Sequence, residues 1–128
     1  MEQQPNPKAM AMADALFPTV GRKRLQMLAD LDPDYARLFA DFTYGGLYSR
    51  EALDQRTREL CAVAALAALS YPNQLATHIR AALLAGATRQ EIQEAIMQMS
   101  VYGGFPAALT GLETMKRVYA ELDADLEG

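Results

Sequence analysis

Apolar positions along this chain recur every three to four residues, and nowhere do they alternate with polar ones over the length of a strand. That period predicts an all-α fold. Residues 8–17, rich in alanine and methionine, read as a short helix stopped by Pro18. An amphipathic segment follows over 19–29, with Val20, Leu25 and Leu28 expected to face inward. Asp32 and Pro33 form a helix start, an acceptor side chain at the cap followed by proline at the first helical position. The helix they open carries Tyr35, Leu38, Phe39 and Phe42 at helical spacing and is expected to end at Gly45-Gly46. Residues 47–53 then act as a connector.

Asp54 can cap the next helix, 55–69, which places Leu60, Val63, Ala64 and Ala67 on one stripe. Its many alanines predict close approach to a neighbouring helix. Pro72 and Asn73 are expected to turn the chain into a helix over 74–85, ended by Gly86 in a left-handed conformation. Thr88 and Glu91 have capping-box spacing and open a helix to about residue 101, with Ile92, Ile96 and Met99 inward. Gly103-Gly104 breaks it, and Pro106 begins a last helix reaching about residue 122. The expectation is a single domain of about six helices behind a loose arm at residues 1–7.

Composition adds several exclusions and two expectations. Hydrophobic residues make up 51% of the 128 positions and charged ones 22%, an apolar excess that a small domain commonly covers with a copy of itself. The net charge of −4, with no basic stripe, argues against nucleic acid and against an anionic membrane surface. The longest apolar run, 60–69, is half alanine and far too short to span a bilayer. The N-terminus lacks a basic start followed by a long apolar core and is not read as a secretory signal. One cysteine, Cys61, excludes an internal disulfide, a CxxC pair and a multi-cysteine zinc site, so a cytoplasmic location is the default. With one histidine and no acids grouped at ligand spacing, no metal site is expected.

The residues able to do chemistry concentrate between 54 and 106. His78 sits mid-helix among Leu75, Ile79, Ala81 and Ala82 and is expected to be at least half buried. Taken alone it is either a core histidine satisfied by one hydrogen bond or an acid–base group. Glu59 either complements the N-terminus of its helix and pairs with Arg56 or Arg58, or meets His78 if the two helices pack antiparallel. Arg80 points about 200° away from His78 on the same helix, which suits a structural salt bridge. Arg56 and Arg58 are either solvated or able to fork onto a substrate carboxylate, Arg58 being preferred. Cys61, flanked by apolar residues, is expected to be a buried, inert thiol. Tyr102 with Gly103-Gly104-Phe105-Pro106 either lines a pocket or makes a helix corner. Met97, Met99 and Met115 read as gap-filling core or interface.

Four linked motifs in order resemble the carboxymuconolactone decarboxylase family, within the AhpD-like superfamily. They are R-x-R-E-L at 56–60, L-x-x-H-x-R-A-A-L at 75–83, G-x-T-x-x-E-I-x-E-x-I at 86–96 and Y-x-G-F-P-A-A at 102–108. The family core implied runs over 54–122. The resemblance implies an all-helical protomer in homo-oligomers, trimers or hexamers, with active sites near subunit contacts. It implies a cofactor-independent carboxy-lyase of aromatic catabolism, acting on a lactone or related carboxylic acid. His78 and Glu59 are then the catalytic residues, and Arg58, Gln74 and Tyr102 contact the substrate. A sister branch uses a C-x-x-C-x-x-x-H thiol relay; carried over, its cysteines fall on Tyr71 and Gln74, so that relay cannot operate here. Family members often carry glutamate where this chain has Gln74, which leaves open a non-catalytic or differently employed oligomer on the same scaffold.

Overall fold

The computed structural model describes residues 4–127, and among them are seven α-helices and no strand. The helices are α1 Pro7–Leu16, α2 Val20–Leu31, α3 Pro33–Ala40, α4 Gln55–Ala68, α5 Pro72–Leu84, α6 Arg89–Tyr102 and α7 Phe105–Glu127. A π-helical segment, Asp41–Leu47, continues α3. Contacts divide the chain into two compact units, Met1–Leu53 and Asp54–Gly128. No helix among the described residues is long and apolar enough to cross a membrane.

In the first unit, α1 begins earlier than expected. Asn6 caps it by accepting the Lys8 N–H at 2.8 Å, its own N–H reaches Asp41 Oδ1 at 2.7 Å, and Pro7 is the first helical residue. The arm expected at 1–7 is therefore fixed at its end, while residues 1–3 lie outside the described residues. Asp32 caps α3 as expected, accepting from the Asp34 and Tyr35 N–H groups. The apolar residues at helical spacing on α3 are not the ones it buries, and Val20, expected to face inward on α2, is not buried either. Ala36, Ala40 and Tyr44 are buried, whereas Tyr35, Leu38 and Phe42 are exposed. Small side chains let the backbones approach, and Tyr44 then fills the centre against the rings of Phe17, Phe39 and Tyr48 at 5.7–6.4 Å. Gly45 does not end the helix. A Cβ there would stand 3.1 Å from Ala9 Cβ, so the glycine serves the close approach of α1.

In the second unit, α4 to α7 enclose a core of Val63, Ala67, Leu75, Ile79, Ala82, Ile92, Ile96 and Val118. The buried stripe of α4 is Glu59, Val63 and Ala67, with Leu60 only partly buried. Both helix ends around α5 close with the same pair of bonds. Tyr71 N–H reaches Leu66 O and Ser70 N–H reaches Ala67 O after α4; Ala87 N–H reaches Ala82 O and Gly86 N–H reaches Leu83 O after α5. The left-handed position is filled by Gly86 (φ 105°) in one and, unusually, by Ser70 (φ 59°) in the other. The turn before α5 is thus Leu69–Tyr71. Pro72 opens the helix rather than preceding it, since its missing N–H costs nothing there. Thr88 and Glu91 form the expected capping box at the start of α6.

Candidate active site

The site is built on the first turns of α4. Asp54 caps that helix by accepting the Thr57 N–H at 2.7 Å, and this backbone bond holds its carboxyl below the ordinary value. Arg56 pairs with Glu91, a capping residue of α6, which ties the two helix starts together. Five residues past the cap comes Glu59, an acid on a stripe otherwise made of Val63 and Ala67. The three-residue turn at Ser70 folds α5 back along α4, and six residues into α5 stands His78.

Those two side chains meet. His78 Nδ1 lies 2.7 Å from Glu59 Oε2. Glu59 has no exposed surface, and the His78 side chain is 15% exposed. Around them the neighbouring positions Val63, Leu75, Ile79 and Ala82 are all closed to solvent. A carboxylate only accepts hydrogen bonds, so Nδ1–H donates to Oε2 and fixes the tautomer. Nε2 is then the ring nitrogen that bears the lone pair, and Glu59 carries the countercharge whenever the ring holds two protons. The other carboxylate oxygen, Oε1, is buried with no hydrogen-bond partner among the described residues, which leaves it an open acceptor inside the protein.

The remaining expected residues are more scattered. Arg58 is half-buried beside Glu59 on α4. Gln74 is exposed, one turn ahead of His78 on α5. Tyr102 is 73% exposed at the end of α6, with no hydrogen bond or ring contact to the pair among the described residues. Gln55 was not anticipated. It is half-buried four residues before Glu59, hence on the same face of α4, and that spacing is the signal by which the sequence could have given it. Arg80 makes a salt bridge within the chain, to Glu121 on α7 at 2.6 Å. Cys61 is exposed, not buried, because two residues past Glu59 a side chain points to the opposite side of α4. A groove of about 700 Å³ lies in the first unit, lined among others by Met10, Leu25 and Ala36, and contains none of these residues.

Comparison with known proteins bears on what this pair serves. The chain is 37% identical over 126 residues to an uncharacterized 15.0 kDa protein of Paracoccus denitrificans encoded in the nqo9-nqo10 intergenic region, covering 96% of this chain and 93% of that one. It is 32% identical over 100 residues to 4-carboxymuconolactone decarboxylase of Acinetobacter baylyi, covering 78% and 75%. It is 28% identical over 75 residues to nitrosuccinic acid decarboxylase npaB of Metarhizium robertsii, covering 59% and 52%. The sequence model of the carboxymuconolactone decarboxylase family matches residues 33–117, from the start of α3 into α7 and across the whole of α4, α5 and α6. With its motifs, its helices and these relatives in agreement, the chain belongs to the carboxymuconolactone decarboxylase family.

Proposed function

We propose that this protein is a cofactor-independent carboxy-lyase acting on a lactone or related carboxylic acid, similar in chemistry to the decarboxylases among its relatives. The observation that carries the proposal is the buried Glu59–His78 pair, 2.7 Å apart. In such a reaction the bond between the carboxylate carbon and the ring breaks, and its electron pair passes into an enolate conjugated through the lactone carbonyl. The substrate is its own electron sink. The protein has to hold the substrate, surround the leaving carboxylate with low-polarity walls, stabilise the enolate oxygen and return a proton to carbon.

His78 Nε2 is assigned the proton delivery or the hydrogen bond to the enolate oxygen, and Glu59 the orientation of the ring. Arg58 is assigned the anchoring of a substrate carboxylate by a fork of two N–H donors. Gln74 and Tyr102 are assigned contacts that orient the substrate. A homo-oligomer and a role in aromatic catabolism accompany the proposal as family traits. The test is CO2 release from a panel of γ-lactone and β-keto acids by the wild-type protein and by His78→Ala. Loss of turnover by at least about 100-fold with the helical content retained is expected. Equal turnover in the variant would remove the mechanism as drawn, whereas no CO2 release from the panel by the wild type would favour a binding module on the same scaffold.

A further inference from the structure

The groove of the first unit is lined unevenly. Its floor is apolar: Leu25 and Ala36 are buried, and Met10 and Ala29 are half-buried. Its rim carries two exposed cations, Arg22 and Lys23. Arg22, Leu25, Gln26 and Ala29 follow at three- and four-residue spacing, so one face of α2 forms a wall of the groove. The cations stand at the start of that wall, and Ala29 lies about 10 Å further along the helix axis.

The two cations differ in what they meet. Arg22 forks onto Asp14, with Nε and Nη2 each 2.8 Å from a carboxylate oxygen. Among the described residues no carboxylate pairs with Lys23. Helix α2 also starts without an acid in its first turn and without a side-chain cap, so the positive end of its dipole adds to the same potential. Arg22, Lys23 and Arg24 are the one run of three cations in a chain of net charge −4.

We propose that this groove binds a small carboxylate with an apolar body, its head group at Lys23 and its hydrocarbon along Leu25, Ala29 and Ala36. A volume of about 700 Å³ is that of a small-molecule site. Burial of hydrocarbon on the floor supplies affinity, and Lys23 selects the sign of the head group. A neutral guest or a second copy of the chain would cover the ammonium without meeting its charge, which is unfavourable. The site lies wholly in the first unit and does not rest on the decarboxylase reading.

The test is calorimetric titration of the full chain with sodium octanoate below its micelle concentration, with 1-octanol as the uncharged comparison. Octanoate is expected to bind once per chain and to shift the ¹⁵N resonances of Leu25, Ala29 and Ala36. 1-Octanol should bind about 3–5-fold more weakly, for want of one exposed ion pair. Lys23→Glu reverses that charge and should weaken octanoate by about 5–10-fold while leaving 1-octanol within about twofold. Ala29→Phe fills the groove and should weaken both by at least about 10-fold, with helical circular dichroism unchanged. Octanoate affinity unchanged in Lys23→Glu, shifts centred on His78 instead of Leu25, or no binding at millimolar octanoate would each overturn the proposal. Failure to bind octanoate together with a mass halved by Ala29→Phe in light scattering would instead give the groove to a second copy.

Discussion

Replacing Glu59 by glutamine separates what the buried acid does for the fold from what it does for the chemistry. The substitution keeps shape and volume at a position with no exposed surface. Three terms change. The 2.7 Å bond to His78 loses its charge assistance, a loss of about 1–2 kcal/mol. A new amide N–H₂ occupies buried space where Oε1 has no partner, at about 1–3 kcal/mol. Against these, the desolvation penalty of a fully buried carboxylate, several kcal/mol, disappears. The losses together are about 2–5 kcal/mol against a gain of several, so the balance lies within about 2 kcal/mol of no change, or roughly 8 °C in Tm for a chain of this length. Turnover should fall by about 10²–10³-fold, since a neutral amide neither fixes the Nδ1–H tautomer nor offsets a positive ring. Calorimetry and CO2 release measure the two halves. Because the chain has a single histidine, its ring nitrogens give an unambiguous ¹⁵N spectrum, in which the tautomer ratio should shift. A variant that loses more than about 2 kcal/mol yet retains full turnover would refute the reasoning and make the pair a structural tie.

Other substitutions test the scaffold that aligns the pair. Asp54 has its carboxyl held below 3.8 by the Thr57 N–H, so its contribution is present above that pH and is lost as pH falls through the folded value. Asp14 beside Arg22 and Asp123 beside Arg89 act in the same direction, and denaturant midpoints should drop on acidification, less steeply in Asp54→Asn. Gly103→Ala would drive a Cβ against the backbone of Ala68 and should cost about 1–3 kcal/mol by urea unfolding, because neither helix end can yield without parting. Ser70→Gly should raise stability by about 0.5–1 kcal/mol by relieving φ 59°, and Gly86→Ala, at φ 105°, should lower it by about 1–2 kcal/mol in the same assay.

How much of this was legible in the sequence depended on the range of the interaction. The caps at Asp32, Asp54 and Thr88 are bonds between a side chain and a backbone two or three residues away, and each was readable from spacing alone. The ends of helices misled where a residue acted outside its usual role. Gly45 serves contact with Ala9 within a continuing helix, Ser70 stands in for glycine, and Pro72 begins a helix rather than a turn. The buried face of α3 was hidden because Ala36 and Ala40 reach the interior by backbone approach, a property that hydrophobic weight does not record. The Arg56–Glu91 and Arg80–Glu121 pairs join residues 35 and 41 apart, and only the folded arrangement selects them among the chain's other charges.

Glu59 and His78 are the exception among long-range pairs, and the reason is physical. Two helices joined by a three-residue turn commonly pair as an antiparallel hairpin, which brings residues nine before the end of α4 and six past the start of α5 to nearby heights. What the motif could not disclose is how complete the burial is. Position 59 belongs to the stripe of Val63 and Ala67, where an aliphatic side chain would pack without any desolvation penalty. An acid there, with one oxygen on an imidazole and the other without a donor among the described residues, lowers stability relative to that alternative. A residue that opposes folding at a fully enclosed position, while meeting the chain's only histidine, is the placement that the proposed proton chemistry requires.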